Sequence, residues 1–166
     1  MAVTYEPIAS QTLGSAAATV TFSSIPGTYT DLVLVSTMKA TTGTAPSIFF
    51  RVGASSIDTG NNYSWTRVGG TGSTTFSDRT STDPTIIYSA ESNATAECVN
   101  IWHLMSYANT NVYKTIMLNA TNPNVNVTRV VGLWRSASAI TTVQVIQNAT
   151  TFVSGSTFAL YGIKAA

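Results

Sequence analysis

A chain of 166 residues and 17.5 kDa can bury a core without disulfide or metal staples, and its length fits one domain spanning residues 1–166. Only 9% of the residues are charged, against about 25% in ordinary soluble domains. The net charge of +1 exerts no pull toward nucleic acid or a membrane surface, and no segment approaches the run of about 18 apolar residues that a membrane span needs.

Ser and Thr supply roughly a quarter of the chain, and their alternation with Val, Ile and Phe is the signature of half-buried strands. Thr4 to Leu13 reads as extended, with Pro7 keeping it off central positions. Residues 2–13 are therefore either an N-terminal arm or an edge strand. Ala16 to Phe22 puts Ala18, Val20 and Phe22 on one face. Asp31 to Met38 contains Leu32-Val33-Leu34-Val35 between turn-forming segments, and this run predicts a central strand buried on both faces. Gly43 to Pro46 reads as a loop. Ser47 to Gly53 alternates with Ile48, Phe50 and Val52 together, and Tyr63 to Val68 alternates with Tyr63, Trp65 and Arg67 together.

Val68 to Pro84 is Gly-, Ser- and Thr-rich with little to bury, so it reads as an exposed loop. Thr85 to Tyr88, Glu97 to Tyr107, Val112 to Asn119, Val127 to Trp134, Ala139 to Ile146 and Thr157 to Ile163 are further extended segments, separated by turns such as Asn122-Pro123-Asn124. The pattern predicts an all-β fold with almost no helix. The architecture expected is a two-sheet antiparallel β-sandwich, jelly-roll-like, of about 8–10 strands. The expected core includes Leu32, Leu34, Phe50, Ile101, Leu133 and Phe158.

No catalytic constellation stands out. His103 is the only histidine and Cys98 the only cysteine, which excludes a disulfide within the chain and a histidine-rich zinc site. Apolar neighbours make Cys98 a buried structural thiol. No nucleophile elbow or phosphate loop is present. Asp58-Thr59-Gly60-Asn61-Asn62 lacks the closing carboxylate of a calcium loop and reads as a turn held by its own side chains. The expectation is a non-enzyme with no catalytic residue, no cofactor and no metal. Aromatic and arginine residues dominate binding hot spots, so the interaction candidates are Tyr5 and Ile8 in the N-terminal segment and Tyr63, Trp65 and Arg67 as an outward-facing platform, the alternative being that Trp65 fills the sandwich and Arg67 caps its rim.

Tyr5-Glu6-Pro7-Ile8-Ala9-Ser10-Gln11-Thr12-Leu13-Gly14-Ser15, together with Val20-Thr21-Phe22-Ser23-Ser24-Ile25-Pro26-Gly27-Thr28-Tyr29-Thr30-Asp31-Leu32, resembles the opening of virion structural proteins of tailed bacteriophages, particularly those of cyanobacteria and aquatic bacteria. Val131-Gly132-Leu133-Trp134-Arg135-Ser136 and Ser154-Gly155-Ser156-Thr157-Phe158-Ala159-Leu160-Tyr161-Gly162-Ile163 are similar to later pieces of the same group. The resemblance covers nearly the whole chain, weakens from Thr41 to Thr95, and carries no catalytic motif. It implies a place on the virion, foremost as a capsid decoration (cement) protein. Such a protein binds the major capsid protein, assembles as a homotrimer and touches neither nucleic acid nor membrane. The alternative it implies is a tail-fibre domain that recognises a host surface glycan.

Overall fold

The computed structural model describes residues 4–42, 47–88 and 94–164; the loop expected at Gly43 to Pro46 and the first residues of the 2–13 segment lie outside them. Among the described residues there is no helix, and twelve strands build two antiparallel sheets. The strands are β1 (Tyr5–Thr12), β2 (Thr19–Phe22), β3 (Asp31–Met38), β4 (Ile48–Gly53), β5 (Tyr63–Gly70), β6 (Thr75–Asp83), β7 (Ile86–Tyr88), β8 (Cys98–Leu104), β9 (Lys114–Asn122), β10 (Asn126–Trp134), β11 (Thr142–Gln147) and β12 (Thr157–Ile163). The large sheet has the order β1-β12-β3-β8-β9-β10-β5-β6, and the small sheet β2-β11-β4-β7. The chain passes repeatedly between the sheets, giving a β-sandwich with jelly-roll-like alternation.

The core lies between the sheets, where every strand turns one parity inward. In β3 that parity is Leu32, Leu34, Ser36 and Met38, all buried. Val33 points the other way and is still buried, flanked by Tyr161 of β12 and His103 of β8. Val35 is half-buried, so the strand is central but only partly covered on its outer face. Across the core, Phe50 of β4 stacks on Trp102 of β8 with ring centroids 5.5 Å apart. Gly132 of β10 leaves room for Ile86 of β7: a Cβ there would stand 2.5 Å from the Ile86 Cδ1. That vacancy lets the small sheet sit down on β10.

Two expectations need correction, and one alternative is decided. Ile101 is 41% exposed and Leu133 only half-buried. In β8 the inward parity belongs to Cys98, Asn100, Trp102 and Leu104, and in β10 to Val130, Gly132 and Trp134. The largest rings took the inner face, and period-2 geometry sent Ile101 and Leu133 outward. The stretch Val68 to Pro84 is no loop, because most of it is the end of β5, a tight turn at Thr71–Thr74 and the nine-residue strand β6. With no inward apolar run its composition hides a strand whose backbone simply pairs with β5. Residues 5–12, finally, pair with β12 from Tyr5 to Thr12 and form the edge strand of their own sheet, with a bulge between Pro7 and Ala9.

Leu34 lies opposite Leu160 on one side and Trp102 on the other and is fully enclosed. Leu34→Ala is expected to cost about 2–5 kcal/mol through lost transfer energy and an unfilled cavity. Urea titration measures it, and a loss under about 0.5 kcal/mol would contradict this placement.

Candidate interaction surfaces

Tyr63, Trp65 and Arg67 do share one face, but it is the inner face. The outward platform is thereby overturned, and the alternative, in which Trp65 fills the sandwich and Arg67 caps its rim, is the one observed. Tyr63 is 0% and Trp65 6% exposed, because these two rings fill the sandwich beneath β7. The Tyr63 hydroxyl accepts the Val52 N–H at 3.1 Å and lies 2.8 Å from the Val52 carbonyl and 2.9 Å from that of Asp58. Burial pushes the phenol well above its ordinary range. Trp65 Nε1 donates to Asp83 Oδ2 at 3.3 Å.

Arg67 caps the rim of this cluster. Its Nε and Nη2 donate to Asp78 Oδ1 and Oδ2 at 2.5 and 2.8 Å, a bidentate fork across the β5–β6 pair. The guanidinium carbon stands 5.4 Å from the centroids of both Trp65 and Phe76, within cation–π range of each. Phe76 in turn lies over Gly69, where a Cβ would come within 2.3 Å of its Cζ. Its Nε and Nη2 are engaged by Asp78 and two rings lie within cation–π range, so Arg67 serves the rim of the sheet rather than standing free of it.

Tyr5 and Ile8 belong to β1, at the opposite edge of the large sheet. Tyr5 is 54% exposed. Ile8 sits in the bulge, half-buried against the core, and lines a shallow recess with Pro7, Ala9, Ala159 and Tyr161. The candidate residues therefore form two separate groups rather than one site.

The other groups singled out by sequence have structural partners. Asp58 Oδ2 accepts Trp134 Nε1 at 2.8 Å and Asn62 Nδ2 at 2.9 Å, while Oδ1 accepts the Gly60 N–H at 2.8 Å. Burial acts to raise the Asp58 carboxyl, but these donors outweigh it and hold the group below the usual carboxylate range. His103 Nε2 lies 3.1 Å from Asp31 Oδ2, and Asp31 Oδ1 accepts the Ser106 N–H at 2.7 Å. Cys98 is buried. Among the described residues no three His, Cys, Asp or Glu side chains group as metal ligands.

Sequence reading missed two features. Lys114 is fully enclosed, with Nζ donating to the Val112 carbonyl at 2.6 Å and the Ala137 carbonyl at 3.3 Å. Desolvation lowers its pKa. The signal was available, since Lys114 shares the inward parity of Ile116 and Leu118. The second feature is the outer face of the large sheet, where Val68, Val99, Ile101, Val127 and Val131 are all exposed. Next to Val127, where Gly70 brings no side chain, a depression of about 300 Å³ opens between Val68, Asn119, Thr121 and Arg129.

No protein-family model matches this chain, and no curated protein matches it. Among solved structures it is similar to CG-16, a homodimeric agglutinin from chicken liver, at 12% identity over 84% of this chain and 98% of that one, with a TM-score of 0.41. It is also similar to the alginate lyase Aly36B in complex with alginate tetrasaccharide, at 7% identity over 82% of this chain and 70% of that one, with a TM-score of 0.31. Neither lends a residue or an activity to this chain.

Lys114 provides a pH test. Its folded pKa lies below the ordinary 10.5, so at neutral pH the folded state bears the cost of a poorly solvated charge. As pH climbs from the folded value to 10.5, the unfolded chain holds a proton that the folded chain has released, and stability rises. Lys114→Met keeps the stem and removes the titration. Urea titrations across alkaline pH should show wild type gaining on the variant below 10.5; a pH-independent difference would contradict the assignment.

Proposed function

We propose that this chain is a structural protein of a tailed-phage virion, a decoration (cement) protein that binds the outer surface of the major capsid protein shell. The observation that carries this reading is the outer face of the large sheet, with five exposed Val and Ile side chains on β5, β8 and β10. Apolar side chains gathered on one face of a soluble protein mark an interaction surface. A protein that clamps neighbouring capsomers needs such a broad, shape-matched surface rather than a deep pocket. The resemblance of the opening and closing segments to virion structural proteins supports the same reading.

The competing reading, a tail-fibre domain that takes a host glycan, relied on Trp65 and Arg67 as a stacking platform. Trp65 is buried, and Arg67 is engaged by Asp78 and lies within cation–π range of two rings. That leaves the cement reading with the better support.

The test is the copy number of this chain in purified virions that contain it. A number comparable to that of the capsomers is the expected result, and a number matching the fibres would overturn it. In parallel, Ile101→Asp and Val131→Asp place a carboxylate on the outer face without touching the core. Each should weaken binding to undecorated particles by about tenfold or more while leaving the urea midpoint nearly unchanged.

A further inference from the structure

Two packed sheets have four edges, and this protein treats them unequally. In the small sheet the edge strands are β2, of four residues, and β7, of three. Strands that short offer almost no template for pairing. In the large sheet β1 carries Pro7 and a bulge beside it, and Lys164 Nζ clamps Glu6 at 2.8 Å alongside. Proline, bulges and charge are the ordinary means by which an edge is blunted. The fourth edge, β6, is nine residues long and contains no proline. Of its charges Asp78, Arg79 and Asp83, the first is taken up by Arg67 of β5. The register is regular from Thr75 to Thr80, with the one irregularity beyond it, between Thr80 and Asp83.

The backbone alternation shows which groups this edge presents. The Thr71 N–H donates to the Thr74 carbonyl, and the Arg135 N–H donates to the Asn62 carbonyl. Carried along the antiparallel registers, the first bond makes 69–76, 67–78 and 65–80 the hydrogen-bonded pairs of β5 with β6. The second makes 64–133, 66–131 and 68–129 those of β5 with β10, which is consistent, because each β5 residue turns its backbone to one neighbour only. Thr75, Ser77 and Arg79 therefore turn N–H and C=O away from the sheet. No other described residue hydrogen-bonds to them.

We propose that β6 is completed by β6 of a second copy of this chain, antiparallel about a two-fold at Ser77, so that the two large sheets run on as one. This inference does not rest on the virion reading. A two-fold normal to the sheet keeps inner faces together, so only registers that pair residues of the same face are open. With the axis at Ser77, that residue pairs with Ser77 of the second copy, and Thr75 and Arg79 pair with Arg79 and Thr75. Phe76 then faces Asp78 on the inner side, and no like charges are opposed. Moving the axis to Arg79 or Asp78 sets guanidinium against guanidinium or carboxylate against carboxylate, which is destabilising. The register at Ser77 uses all three outward residues. A net charge of +1 puts little repulsion between copies. The contact is isologous and closes as a dimer.

Sedimentation velocity of the purified chain tests this. Wild type is expected to dimerise, and Ser77→Pro, which removes an N–H that the fold itself does not use, should weaken dimerisation at least tenfold with an unchanged β spectrum in circular dichroism. A second measurement is independent of how that variant folds. Cys98 is buried, so Ser77→Cys carries the one accessible thiol, and a short bis-maleimide should join it to its mate, whereas the equally exposed Ser15→Cys should give only background. Three results would overturn the proposal: a monomeric wild type at about 100 µM, an oligomer indifferent to Ser77→Pro in a folded variant, or cross-linking at residue 77 no greater than at residue 15. A monomeric wild type would leave the edge to an extended segment of another protein.

Discussion

The contact between Trp102 and Phe50 is the constraint on which the rest of the sandwich depends. Trp102 belongs to β8 near the middle of the large sheet and Phe50 to β4 in the small one, and their rings stack at 5.5 Å with an interplanar angle of 19°. Two large rings, both fully enclosed, bring area burial and an aromatic pairing term together at one point. Once Trp102 points inward, alternation settles the face of every other residue of β8, and the ladders with β3 and β9 pass that choice along the sheet. Ile101 is exposed for this reason, and so the outer face acquires an apolar side chain that a purely local reading would assign to the core.

The same alternation forces polar groups inside, and the fold gives Lys114, Asp58 and Tyr63 partners there. Lys114 occupies an inward position of β9 and spends its ammonium on two carbonyls at the end of the strand. Its stem adds to the packing while the two carbonyls take the place of water at its head. Asp58 gathers Trp134, Asn62 and the Gly60 amide on one carboxylate and thereby ties the loop before β5 to the end of β10. Tyr63 joins that loop to β4 through Val52. These bonds tie β4, the loop before β5 and the end of β10 together at one end of the sandwich.

The surface divides by chemistry. The inner-face rim at Arg67 is polar and internally paired, with a bidentate carboxylate and two rings within 5.4 Å of one guanidinium. The outer face is the reverse, with valines and isoleucine among Thr, Asn and Arg129. A protein with so few charges has little electrostatic steering available, so its contacts must draw on shape and apolar area for affinity and on backbone edges for register. Face and edge are separate surfaces of one sheet, and a copy joined at β6 still presents the outer face of β8, β9 and β10.

Alternation of Thr and Ser with branched residues was enough, by itself, to determine an all-β sandwich, because period-2 burial is written residue by residue. The lone Cys98, the lone His103 and the lack of catalytic motifs were legible in the same direct way, as was the Asp58 turn, whose donors lie within a few residues of it apart from Trp134. Parity was different. Glu97 to Tyr107 has apolar residues on both faces, and only the stacking of Trp102 on a residue 52 positions away in the chain chose between them. Tyr63 and Trp65 looked like a platform for the same reason: a strand shows which side chains share a face, not which face meets the second sheet. β6 escaped notice because an edge strand with Phe76 as its one apolar side chain is stabilised by backbone pairing, which leaves no hydrophobic period in the sequence. Tertiary structure decided those points, since burial is a property of the partner that arrives and not of the segment that waits for it.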